Sequence, residues 1–221
     1  MLLPSTFAAT RRSAHALAEL VLAPFRYEMD DKIRLRPIPH GFWVPPVGPI
    51  RRSVSIVGDQ VVIDDVNGEA EACVVTVRQV ADFVDVTPGA PPVFTATSDV
   101  GLDETLELDP EAMNVIGEWF ETADAALRAF GDSIGGPVEP VLWPEHFDLG
   151  ISIGAVNFGA SLGDETVPEP YIYVGPHDLG ALAANDFWNV GFGAAITHAD
   201  VSTSDEMCAW FERGWGLVHP S

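Results

Sequence analysis

Lysine is almost missing from this chain. Lys32 is the only one, and with ten arginines it faces 33 carboxylates, for a net charge of −22. A surface of that sign repels a phosphate backbone, so nucleic acid is excluded as a partner. Cysteine is nearly as scarce: Cys73 and Cys208 are too few for a disulfide framework, and the expected location is the cytoplasm. No apolar run reaches the roughly 18 residues that a bilayer span requires, so no membrane is expected. The arginine pair Arg11-Arg12 lies inside an amphipathic pattern instead of ahead of an apolar block, which argues against a secretory leader. A Gly-x-Ser-x-Gly elbow is absent, as is any glycine-rich turn leading from a strand into a helix. The small segment Gly159-Ala160-Ser161-Leu162-Gly163 lacks the lysine of a phosphate loop and runs into Asp164, Glu165 and Glu169, the wrong sign for phosphate.

The charge that is present is unevenly spread. Residues 1–52 hold eight basic and four acidic groups, whereas 53–221 hold three basic and 29 acidic ones. This predicts a basic N-terminal segment docked on an acidic body.

Apolar periodicity then sets the elements. Phe7, Thr10, Ala14, Leu17, Val21 and Phe25 mark an amphipathic helix over 5–27. Alternation at 33–36 reads as a short strand. The five prolines between Pro37 and Pro49 predict an irregular edge in place of a central strand. Residues 54–57 and 61–66 flank Gly58-Asp59-Gln60 as a hairpin, and Asn67-Gly68 turns into a further strand near 73–75. Thr76 caps a helix over 77–86, and 87–108 is a surface loop. Asp109-Pro110-Glu111 starts a long helix ending at Gly131. Strands at 147–153, 171–174 and 192–198 follow, then a helix capped by Ser202 or Thr203 and running through Arg213. The expected class is α+β, an antiparallel or mixed sheet with helices packed mainly on one face. One domain over 1–221 is expected, with the glycine- and proline-rich link 131–140 as the place where it would divide.

The richest chemistry lies in 142–176. On a strand through 146–153, His146, Asp148, Gly150 and Ser152 share one face, with an imidazole and a carboxylate over two small residues. Glu169, Tyr171 and Tyr173 share a side of the next strand. Pairing of these strands would give a pocket floor, which three chemistries could use. A divalent metal could be held by His146, Asp148 and His198, in the manner of a two-histidine, one-carboxylate site. Acid–base hydrolysis could use His146 oriented by Asp148, with Asp164, Glu165 and Glu169 set to different acidities. Binding without chemistry could use Trp143, Phe158, Tyr171, Tyr173 and Trp188 as an aromatic lining for a small organic ligand. Against all three stands a purely structural role, with His146 hydrogen-bonded to Asp148 and the aromatics packing the sheet.

LWPEHFDL followed by NFGASLGDETVPEPYIYVGP resembles the C-terminal half of a group of bacterial proteins, common in actinobacteria, classed as a domain of unknown function. KIRLRPIPHGFW, the hairpin and the helix after Thr76 are similar in order to its N-terminal half. The resemblance implies a fold and a structural role for Phe147-Asp148-Leu149, but no activity. The sequence therefore predicts a small-molecule-binding protein, hydrolase-like if His146, Asp148, Glu165 and Glu169 act on the ligand. The alternative is a non-catalytic interaction or scaffold protein whose acidic face meets a basic partner.

Overall fold

The computed structural model describes residues 2–220 and has an α+β fold. In place of the one sheet expected there are two antiparallel sheets of five strands. The first is a meander of β1 (Arg36–Ile38), β2 (Gly41–Val47), β3 (Arg52–Val57), β4 (Gln60–Asp65) and β5 (Gly68–Cys73), paired in sequence order. The second comprises β6 (Val141–Trp143), β7 (Asp148–Ile153), β8 (Val156–Ser161), β9 (Tyr171–Pro176) and β10 (Ala194–Thr197), with β10 and β6 at its edges. Two compact units are distinguished: an N-terminal unit of 2–118 with 142–147, and a C-terminal unit of 119–141 with 148–220. The link 131–140 lies inside the second of these.

In the N-terminal unit, one helical rod comprises α1 (Phe7–Leu17), a π-helical turn (Ala18–Leu22) and α2 (Ala23–Asp30). The wide turn precedes Pro24, which has no N–H for the carbonyl four residues back and whose ring would press on it. Every residue of the wide turn is buried, Glu19 included. Thr6 stands at the N-cap of α1 and makes no side-chain cap bond.

Strand alternation places Phe42, Val44, Val54, Ile56 and Val61 on the buried face of the first sheet, while Trp43, Ser55, Val62 and Glu71 stand on the other. The proline segment is a real strand, β2, against expectation. Pro45 and Pro46 fall where the register shifts between Val44 and Val47, so their missing N–H groups interrupt a ladder already broken by a bulge. β1 lies two to three residues later than the expected strand, and Leu35 bridges to Leu142.

The helix α3 (Val77–Val84) begins as expected, with Thr76 Oγ1 accepting from Gln79 N at 3.1 Å. Asp109 caps α4 (Pro110–Ser133) by accepting from Ala112 N at 2.9 Å. At Gly117 this helix comes so close to the β1–β2 turn that a Cβ would stand 2.7 Å from His40 N and 3.0 Å from Gly41 N.

In the C-terminal unit, β8 is a strand beyond those expected at 147–153, 171–174 and 192–198. Phe158 at its centre is fully buried and meets Phe130 at 4.6 Å, Phe211 at 6.0 Å and Trp215 at 6.3 Å between ring centroids. The apolar face of this sheet thus packs on α4 and on α5 (Ser204–Val218), which starts with the full capping box of Thr203 and Glu206 and continues past Arg213.

Because Gly117 has backbone and no flexible side chain across from it, Gly117→Ala is expected to destabilise the protein by about 3 kcal/mol through overpacking. Urea unfolding checks this, and a midpoint equal to wild type would refute the close approach.

Candidate functional site

β7 begins at Asp148, not at His146. Phe147 has φ +49°, a left-handed conformation that turns the chain before the strand starts. His146 therefore lies exposed in a turn of the N-terminal unit, off the pleat where alternation had put it. From Asp148 onward the alternation holds. Asp148 pairs with Ser161 and Ser161 with Tyr171. Gly150 pairs with Gly159 and Gly159 with Tyr173. These six residues share one face of the second sheet, opposite the apolar one.

The room left by the two glycines is occupied by Tyr173. A Cβ on Gly159 would stand 2.5 Å from the Tyr173 hydroxyl, and one on Gly150 would stand 3.1 Å from it. The phenol crosses both positions and donates to Asp148 Oδ2 at 2.5 Å. Asp148 is only 9% exposed, so this donor replaces water that the carboxylate has lost. Beside it, Tyr171 donates to Asp164 Oδ2 at 2.5 Å. Asp164 Oδ1 in turn accepts from Thr166 N and Val167 N at 2.7 and 2.9 Å, which folds the loop leading into β9. The two phenol rings are 6.2 Å apart, and Phe192, an exposed aromatic, lies 6.2 Å from Tyr171 and 6.4 Å from Tyr173. Burial, and then the neighbouring carboxylates, push both phenols above their ordinary pKa. At neutral pH they are hydrogen-bond donors and not bases.

The other expected site residues are dispersed. Glu165 is exposed in the loop after Gly163. Glu169 Oε2 pairs with His198 Nε2 at 3.2 Å, and His198 is held by its own N–H to the carbonyl of Pro170. Trp143 belongs to the N-terminal unit, where the Arg34 guanidinium stands 5.9 Å from its ring centre. Among the described residues, no group of three or more His, Cys, Asp or Glu side chains is placed to hold a metal ion, so the triad of His146, Asp148 and His198 finds no ligand cluster. Sequence reasoning had brought Tyr171 and Tyr173 together correctly but had overlooked Phe192, whose glycine-flanked context read as strand.

In the N-terminal unit, Glu19 is fully buried in the π-helical turn. Its carboxylate accepts from Thr97 N at 2.7 Å, Thr97 Oγ1 at 3.1 Å and Ser98 N at 2.8 Å. His15, one helical turn earlier, stacks on Phe147 at 5.5 Å and donates from Nε2 to the Pro144 carbonyl at 3.0 Å. Desolvation lowers its pKa, with the Glu19 charge working in the opposite direction. The available signal was a lone acid four residues after a histidine within an otherwise apolar run.

No family model, curated protein or solved structure matches the chain.

Replacing Tyr173 by Phe removes the donor and keeps the ring, so a loss of about 1–3 kcal/mol in urea unfolding is expected, with the fold retained. The raised phenols also fix the alkaline limb. Their contribution to stability is complete below the free phenol's value of about 10 and is lost as pH climbs toward their native values. Ultraviolet titration should show Tyr171 and Tyr173 still protonated beyond that point. In the other unit, Glu19→Gln presents an amide to N–H donors that need an acceptor, and a loss of about 3 kcal/mol is expected. Equal stability of either variant to wild type would show that its hydrogen bonds do not hold the fold.

Proposed function

We propose that this protein binds a small organic molecule carrying a cationic group, at the surface formed by Tyr173, Phe192 and the exposed carboxylate of Asp164, with the buried Tyr171 and Asp148 next to them. The observation that carries the reading is the aromatic trio set beside two phenol–carboxylate pairs. Aromatic faces and fixed negative charge together favour an ammonium or guanidinium group. A net charge of −22 raises the local concentration of such ligands. Hydrolytic chemistry has less support, since His146 is exposed in its turn while Asp148 and Glu169 are engaged by Tyr173 and His198.

A second reading, a non-catalytic interaction protein with an acidic surface, is favoured by a separate observation. Five of the ten arginines are paired with carboxylates within the chain: Arg12 with Asp99 and Glu104, Arg26 with Asp30, Arg52 with Asp65, Arg78 with Asp103 and Arg128 with Asp124. The excess carboxylates are left to external cations.

The two thiols are free, which suits the cytoplasmic location we propose, and among the described residues no helix is long and apolar enough to cross a membrane. We also propose membership of the bacterial group of unknown function that 142–176 resembles, because that block supplies Asp148, Asp164, Tyr171 and Tyr173.

Thermal unfolding in the presence of alkylammonium and guanidinium compounds, each beside its neutral isostere, tests the first reading. The cations should raise Tm, and Phe192→Ala should weaken binding about tenfold through loss of the exposed ring. Equal shifts from the neutral isosteres, or no effect of Phe192→Ala, would sink it.

A further inference from the structure

The end of the first sheet offers a second place for recognition. β5 is its terminal strand and pairs with β4 on one side. Residues 68–71 and 73 are exposed, and Ala72 is half-buried. Such an edge presents backbone N–H and C=O groups ready to pair with another strand. Its side chains alternate strictly. Glu69 and Glu71 stand on the face that also carries Asp64 and Val62, while Ala70 and Ala72 stand on the face of Ile63 and Val61. Neither Glu69 nor Glu71 enters an ion pair among the described residues; the nearby Arg52 is spent on Asp65 at 3.4 Å.

This pattern selects its own occupant. A second copy pairing antiparallel about Ala70 would set Glu69 directly opposite Glu71 at both ends, and like charges facing each other across strands are destabilising. An incoming strand with cations at alternate positions gains at the same two points. On its other face, the alanines leave room for small apolar side chains.

We propose that β5 is a docking edge for an extended basic segment of a partner protein, which adds a strand to the sheet and places Lys or Arg opposite Glu69 and Glu71. The backbone supplies the attachment and the alternating charge supplies the choice of partner. This inference rests on the acidic-surface reading and names the element through which it acts; it is independent of the Tyr171, Tyr173 and Phe192 surface.

The test titrates the full chain against fluorescein-labelled acetyl-Lys-Val-Lys-Val-Lys-Val-amide at low salt, read by fluorescence anisotropy. The control is the same sequence built from alternating L- and D-residues, which keeps the charge but cannot form the strand. The all-L peptide should bind, the control and the Glu69→Lys/Glu71→Lys protein should each bind about tenfold more weakly, and amide hydrogen exchange should slow across Gly68–Cys73. Both glutamates are exposed, so the double variant keeps its fold, which circular dichroism confirms. Equal binding of both peptides, undisturbed by the double variant, would overturn the edge while leaving the acidic-surface reading standing. Absence of any binding would overturn both. Dimerisation of a Glu69→Gln/Glu71→Gln protein that shuts out the peptide would also overturn the proposal, by showing that the glutamates serve only to keep copies apart.

Discussion

Taking a carboxylate out of water carries a penalty of several kilocalories per mole unless donors are waiting for it. Each unit of this protein is arranged around one such group. In the N-terminal unit, Glu19 collects two backbone amides and a hydroxyl from Thr97 and Ser98, and so anchors a long irregular loop to the helical rod. In the C-terminal unit, Asp148 receives a phenol that reaches it only because two facing glycines leave the sheet bare between them. Without the donors these charges could not be buried; without the charges the loop and the phenol would lose their placement.

The elements that were legible in the sequence are those whose local chemistry is self-sufficient. Thr76, Asp109 and Thr203 announce helices through side chains that satisfy their own first turns, and Asn67-Gly68 sets a tight turn between strands. What could not be read depends on partners far along the chain. β2 contains two adjacent prolines and becomes a strand because a bulge in its pairing absorbs them. β8 is built of residues with little strand preference of their own, and exists because Phe158 is locked between helices and because Gly159 must be small for Tyr173 to pass.

The candidate site divides along the same line. Tyr171 and Tyr173 share a face by the two-residue period, which any reader of the pattern finds. The left-handed backbone at Phe147, which takes His146 off the strand, has no local signature, since a bulky aromatic at positive φ is held there by its surroundings: its ring lies on His15 and against Phe42. Histidine and carboxylate two residues apart suggest a shared strand face; the turn between them takes the imidazole off it.

The π-helical turn in the first helix is in effect a single extra residue accommodated without breaking the rod. An α-helix advances about 100° per residue, so everything before Ala18 is rotated by about that angle against everything after Leu22, relative to an uninterrupted helix. The buried residues Phe7, Ala14 and Leu17 are thereby turned about the helix axis relative to the buried Phe25. A chain of the same lineage lacking one residue here would have a smoother helix and a different azimuth for its whole N-terminal stretch. Length in this segment works as a gear, setting which side chains meet the rest of the unit, and an aligned gap of one position would carry more structural meaning than several substitutions.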